Sequence, residues 1–392
     1  MVSAVCGLIP PAPAGAEGGA AAPGNAWAKA AGLMRAGKPR AALPLLDALH
    51  RAAPDLAAVK LELALAHFRL EQDADARRLF RQARSMRLTD GQRRAAGAYL
   101  ARLRARNPWR FEISGGLVPQ RNASRRTAAD RITIGGFDFI LDDRPESGIG
   151  LDVRAAAKYR RTVGGKAGLG FGATLQGKLF ENRDWNDYSL TLDGHLSRGR
   201  IADGQTTLGL LIRPRWLSDR LYTTEIGPYL GYGRMLGEKT ALGLRVERLE
   251  RRAETPGRAD AALWRVALTL GHRLSPQTSL RGGLSATLVR SPAATDAARI
   301  VSVTAGITRQ FGHWRITVDA AHLRERRAGA STVFGIARDE TENRLRLGIA
   351  GGKISVFGFS PVVEIGHEER RSNIAVYSWT NDYAGLGFCR AF

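Results

Sequence analysis

The sequence contains no apolar run of about 18 residues or more, so no helix in it can cross a bilayer. A membrane barrel stays open, because its lipid-facing residues alternate with polar ones. Cysteine is nearly absent: Cys6 and Cys389 are the two among 392 residues. If a leader holding Cys6 is removed, one thiol remains and no internal disulfide can form. Metal-ligand spacing is missing, and His272, His313, His322 and His367 stand singly. Acids are scarce: 37 Asp and Glu face 59 Lys and Arg, a formal charge of +22. Such an excess points to a polyanion, whether lipopolysaccharide, anionic lipid, nucleic acid or an acidic client. The arginines are spread along the chain, without a basic helix, zinc signature or aromatic RNA-binding motif. That pattern argues against nucleic acid.

Catalytic constellations are also lacking. "GHLSRG" puts His195 and Ser197 on one strand face, but no orienting acid or amide stands out beside them. "GKAGLGFG", with Gly165, Gly168, Gly170 and Gly172, is followed by no helical pattern, so it is not a phosphate loop. The expectation is a non-enzyme with no cofactor and no metal.

What is present falls into three parts. Residues 1–24 hold a short apolar core, Val2 to Ile9, then "PAPAGA" with small residues suited to a signal peptidase. They read as a leader and linker. Residues 25–106 are rich in Ala, Leu and Arg, good helix formers. Helices are expected near 25–37, 39–51, 55–70, 73–86 and 90–106. Ala42, Leu46 and Leu49 recur 34 positions later as Ala76, Phe80 and Ala83. This spacing and this small–large–small order resemble the tetratricopeptide repeat. Small residues let two helices approach, and the bulky one fills the gap between units.

From 107 to 392 the period changes to two. Leu169, Phe171, Ala173 and Leu175 alternate with Gly170, Gly172 and Thr174. Tyr188, Leu190, Leu192 and Leu196 alternate with Ser189, Thr191, Asp193 and His195. About fourteen such segments occur. They lie near 109–118, 147–161, 166–180, 186–199, 205–217, 221–236, 239–252, 260–274, 277–290, 298–311, 313–326, 341–351, 355–369 and 381–392. Many exceed the length of a soluble strand, about 5–6 residues, and reach the roughly 9–11 that cross a bilayer at a tilt. Their connections alternate. "VGG", "RIADG", "LGE", "SPQ", "FGH" and "GGKI" are short; 119–146, "ENRDWN", "AETPGR", "SPAATDA", "AGASTVFGIARDE" and "ERRSNIAVYSWTN" are longer. Short turns on one rim and long loops on the other is the outer-membrane arrangement. The expected fold is an all-β transmembrane barrel of about 14 antiparallel strands, preceded by a small all-α domain.

On the expected lumen face stand Arg154, Lys158, Lys178, Arg213, Arg215, Arg245, Arg265, Arg273, Arg281, Arg315, Arg344 and Arg346. The acids expected with them are Asp152, Asp193, Glu247, Asp319 and Glu364. Arg213, Arg215, Arg245, Arg265, Arg281, Arg315, Arg344 and Arg346 form a basic wall. It is either a rigidifying ion-pair web or a surface that favours anionic solutes or acidic clients. At the end, "NDYAGLGFCRAF" carries Tyr383, Leu386, Phe388 and a terminal Phe392. An aromatic end behind an apolar alternation reads as a signal for the barrel-assembly machinery. Ala384, Leu386 and Phe388 should face lipid, with Gly385 and Gly387 inward.

Helical repeats followed by a fourteen-strand barrel resemble the surface lipoprotein assembly modifier family. "VPQRNASRRT" is similar to the family's Asn-rich first loop through Asn122 and Ser124, with the second asparagine replaced. "ERRSNIAVYSWTNDYAGLGFCRAF" is similar to its last loop and strand through Arg370, Ser372, Asn373, Ile374, Tyr377 and Phe392. The resemblance implies an outer-membrane translocator with its helical domain in the periplasm. Its client would be a surface lipoprotein or a small secreted haem- or metal-acquisition protein. The helices would receive the client and the barrel would pass it. The other partners are outer-membrane lipid or lipopolysaccharide and the assembly machinery, with no nucleic acid, and the protein acts as a monomer. A passive porin with a basic lumen, or an envelope scaffold, are the alternatives.

Overall fold

The computed structural model describes residues 24–84, 86, 88–134, 136–142, 144–255, 258–275, 277–312, 314–351 and 359–391. The expected leader with Cys6, His313, Phe357, most of the "GGKI" turn and the terminal Phe392 lie outside the described residues. The chain divides into a helical unit up to Pro108 and a strand unit from Trp109.

The helical unit has five helices: α1 (Gly24–Arg35), α2 (Pro39–Ala52), α3 (Ala57–Arg69), α4 (Asp73–Arg84) and α5 (Asp90–Arg106). Each packs on the next in sequence. The small residues of the repeat are where close approach needs them: Ala42, Ala76 and Ala83 are fully buried, as is Leu46. Phe80 is 2% exposed and stacks on Tyr99 of α5 at 5.2 Å. Thr89 and Gln92 form a reciprocal cap at the start of α5, which satisfies two otherwise unpaired backbone donors. Phe80→Ala is expected to cost about 3–5 kcal/mol of helical stability, because a large side chain leaves a cavity that its neighbours only partly fill. Hydrogen exchange along α3 to α5 would read this as lost protection.

The strand unit comprises β1 (Trp109–Gln120), β2 (Arg131–Ile134), β3 (Phe137–Ile140), β4 (Gly148–Thr162), β5 (Ala167–Phe180), β6 (Asp187–Arg200), β7 (Gly204–Leu217) and β8 (Arg220–Leu236). It continues with β9 (Thr240–Ala253), β10 (Ala261–Arg273), β11 (Thr278–Arg290), β12 (Ala298–Phe311), β13 (Trp314–Ala330), β14 (Ala337–Gly351), β15 (Ser360–Ser372) and β16 (Trp379–Ala391). All but β2 and β3 form one closed antiparallel barrel of 14 strands, β1 pairing with both β4 and β16. Closure removes both sheet edges.

Alternation decides which face is which. Leu117, Leu196, Leu208 and Leu386 are 59%, 63%, 60% and 65% exposed, and their parity defines the outside. Trp109, Tyr159 and Phe171 make an aromatic row across β1, β4 and β5 near the short-turn rim. Tyr188 and Trp216 stack at the opposite rim. Two aromatic girdles bounding an apolar band are the mark of a barrel seated in a membrane.

Three details depart from the sequence expectations. The first loop contains the β2–β3 hairpin, paired from Arg131↔Ile140 to Ile134↔Phe137. β13 and β14 run several residues beyond the expected ends, with a register shift between Arg326 and Ala330. There both faces carry charged or small side chains, as in "RERRAGA" and "ARDE", so the hydropathy alternation that betrays a strand fades. Finally, β7 and β8 join through residues 218–219 alone on the long-loop rim, with positive φ at Ser218 and Asp219. Two left-handed residues make the tight hairpin turn that matches strand twist.

Candidate functional site in the barrel lumen

Inward positions carry dense charge. Arg213 binds Glu225 at 2.9 Å, and Arg265 binds Glu247 at 2.8 Å while lying 3.9 Å from Glu225. Arg245 holds the other oxygen of Glu247 at 2.7 Å and lies 3.6 Å over the Tyr229 ring. Tyr229 donates to Asp193 at 3.1 Å. A second web runs from Arg281 through Asp319 to Arg346 and Glu364, the links being 2.5, 2.8 and 3.3 Å. A third joins Arg344, Glu342, Arg370 and Glu340. Arg215 pairs with Asp187 through two hydrogen bonds, 2.9 and 2.8 Å. Arg315 is inward and 5% exposed.

Arg213, Arg215, Arg245, Arg265, Arg281, Arg344 and Arg346 of the expected basic wall thus each meet a carboxylate. Seven inward acids were not anticipated: Glu112, Asp187, Glu225, Glu325, Glu340, Glu342 and Glu368. Strand parity could have found most of them, since Glu225 shares a face with Tyr229 and Glu368 with Glu364. Burial makes these pairs matter. Glu247 is 5% exposed, and removing one partner of a buried pair leaves the other charge uncompensated at about 3–5 kcal/mol. Glu247→Ala is expected to lower the unfolding free energy of the barrel by that order, read as a fall in the urea midpoint. Glu247→Gln should cost less, since its amide oxygen still accepts a bond. An unchanged midpoint for Glu247→Ala would mean that the web adds no rigidity.

His195 and Ser197 face inward as expected, but an orienting acid is present after all. Asp193 Oδ2 lies 3.0 Å from His195 Nδ1. The Ser197 hydroxyl donates to the Gly168 carbonyl at 3.4 Å, so it is not aimed at His195. His272 meets Thr240, His322 meets Asn343 and His367 meets Asp382, each near the outer surface.

The two motif loops, far apart in sequence, come together over the joint between β1 and β16. The Asn122 backbone N–H donates to Asn381 Oδ1 at 3.0 Å. Asn122 Nδ2 donates to the carbonyls of Arg126 and Thr380 at 2.8 and 2.9 Å. Asn381 Nδ2 in turn donates to Gln120 Oε1 at 2.9 Å. Gln120, Asn122 and Asn381 are 4%, 4% and 1% exposed. Ser124 donates to Asn122 Oδ1, and Thr127 donates to the Ala375 carbonyl of the last loop. Asn373 ties that loop to β14, donating to Ala337 and accepting from the Asp339 N–H. Ser372 accepts from the Ile374 N–H. Arg370 grips Glu342 at 2.6 Å, and Tyr377 packs on Phe334 under Arg338. Asn122 of the first motif loop thus forms a clasp across the joint with Asn381 of β16, a residue that the motif reading did not name.

On β16, Ala384, Leu386 and Phe388 face outward, while Gly385 and Gly387 face inward. Tyr383 does not join the outward set. It faces the lumen against Gly366, with Lys178 5.1 Å from its ring.

A closed barrel of 14 strands with an apolar exterior and a charged interior is an outer-membrane β-barrel. The chain belongs to the surface lipoprotein assembly modifier family, whose model matches residues 109–392. No curated protein matches it. The barrel is similar to the outer membrane channel DcaP of Acinetobacter baumannii, at 11% identity and a TM-score of 0.45, over 72% of this chain and 96% of that one. A FadL homologue of Pseudomonas aeruginosa matches at 9% identity and 0.40, over 76% and 91%. A loop-deletion mutant of OmpT of Vibrio cholerae matches at 10% and 0.39, over 73% and 100%.

Proposed function

We propose that this barrel delivers a surface lipoprotein or a small secreted protein to the outside of the cell, the helical unit receiving the client in the periplasm. The observation that carries this is the joining of a repeat-type helical unit to a barrel of the lipoprotein assembly family. An even strand count supports the periplasmic placement. β1 starts on the short-turn rim, and that rim faces the periplasm in outer-membrane barrels. Helical repeats commonly present a concave surface to a partner.

A steady aqueous pore fits less well. Leu211, Leu249 and Leu263 face inward at 2%, 0% and 2% exposure, so other inward side chains cover that stretch of wall. Co-expression with a lipobox-bearing client provides the test. Protease should reach the client on intact cells only when this protein is present. Steady ion conductance in planar bilayers, with no client display in cells, would replace this reading with a porin.

A further inference from the structure

On the outer surface, a cluster of largely unmatched positive charge lies on β11 to β13, just beyond the apolar band on the loop side. Arg290, Arg299, Arg324 and Arg326 all point outward and are exposed. Arg299 stands directly opposite Arg326 in the ladder, and its other neighbour is Leu288. Arg324 lies opposite Val301. Facing residues of a sheet hold their Cβ atoms about 5 Å apart, and like charges there are destabilising. Asp339 is the single acid among them, pairing with both Arg324 and Arg326 at 2.8 and 3.1 Å. Among the described residues, the Arg290 and Arg299 side chains have no hydrogen-bond or ion-pair partner. Four arginines against one aspartate leave three positive charges unbalanced.

Their height is set by the strands. On β12 the outward residues between Arg299 and Arg309 are Val301, Val303, Ala305 and Ile307, all apolar or small. Ten residue steps, from 299 to 309, span about 33 Å along a strand. At a tilt of roughly 40° that is about 25 Å of height, the thickness of an outer-membrane apolar band. On β13 the same ten steps run from Trp314 to Arg324. The cluster therefore sits where acyl chains end and headgroups begin, in the leaflet that the long loops face.

We infer that Arg290, Arg299, Arg324 and Arg326 form a binding site for the phosphates of lipid A, the phosphorylated glycolipid of that leaflet. Guanidinium groups bind phosphate through paired hydrogen bonds. Leu288, Val301 and Val303 lie beneath to receive the acyl chains. A headgroup bearing two phosphates matches the charge excess better than a single phosphodiester does. The site concerns lipid contact alone and stands whether or not the barrel transports a client.

Native mass spectrometry of the purified full-length protein in detergent provides the test, with bisphosphorylated lipid A as the probe. We expect retention of one lipid A, weakened at least tenfold when both phosphates are removed from the probe. Arg299→Gln/Arg326→Gln should show the same loss. Arg248→Gln/Arg252→Gln, on the outer face of β9, should not. If the first double variant fails to fold, Arg299→Gln alone carries the test, because Arg299 has no protein partner to lose. Equal binding of dephosphorylated lipid A, or full retention by the Arg299 variants, would overturn the site. So would equal loss from the β9 variant. Phosphatidylglycerol competing as well as lipid A would overturn the glycolipid assignment.

Discussion

Gly116→Ala/Gly387→Ala is expected to prevent most of the protein from reaching the closed barrel. A Cβ at Gly116 would lie 2.7 Å from Gly387 Cα and 2.9 Å from the Leu386 carbonyl oxygen. One at Gly387 would lie 2.5 Å from the Gly115 carbonyl oxygen and 3.0 Å from Gly116 Cα. Every one of these atoms is backbone, so no side chain can swing aside. Overpacking of this kind costs about 1–3 kcal/mol per site. The joint has little to set against that cost. Its register runs from Glu112↔Ala391 to Gln120↔Tyr383 with a gap at Val118 and Pro119, and proline has no N–H to donate. Beyond the gap, the Asn122–Asn381–Gln120 clasp holds the loop end. The folded band that resists unfolding in unheated gel samples should fall to a small fraction in Gly116→Ala/Gly387→Ala. Gly271→Ala, whose Cβ would meet nothing within 4 Å, is the matched control and should be unaffected. A normal folded band in the double variant would show that closure does not depend on this close approach.

Deleting residues 24–106 is expected to abolish client display while leaving the barrel in the outer membrane. The two units have separate cores. Ala42, Leu46, Leu63, Ala76 and Phe80 belong to one cluster that includes no barrel residue. The barrel closes through β1 and β16 without the helices. Loss of the helices therefore removes the proposed client receptor and not the fold that follows it. Protease accessibility of the client on intact cells measures display, and gel mobility of the truncated protein reports barrel assembly. Undiminished display from an assembled truncation would remove the receptor role. Loss of both display and assembly would place the helices in barrel biogenesis instead.

Much of this architecture is legible in the sequence. The lipid–lumen division repeats every second residue, so Leu169, Phe171, Ala173 and Leu175 mark a strand and its outer face together. All fourteen barrel strands were found on that pattern. The β2–β3 hairpin lies outside the fourteen-segment pattern, although "RITIGGFDFI" has an alternation broken by two glycines, a recognisable turn signal. Its Phe137, Phe139 and Ile140 are exposed, so no buried face reinforced the reading. Arg213, Arg245 and Arg265 can be assigned to the lumen from parity, and so can the acids, but not which acid meets which arginine. Glu225 reaches Arg213 from β8 and Glu247 reaches Arg265 from β9, pairings set by register, while Glu247 meets Arg245 along its own strand.

By itself, the sequence determined the two units, the number of barrel strands and the inside or outside of the apolar positions along them. These depend on local period, which the chain carries in every short window. Only the tertiary structure decided that Arg and acid sit as matched webs, and that Asn122 meets Asn381 across 259 positions. It also decided that Arg299 lies opposite Arg326. Pairings of that kind follow from closure and register, and both are properties of the whole barrel that no single strand contains.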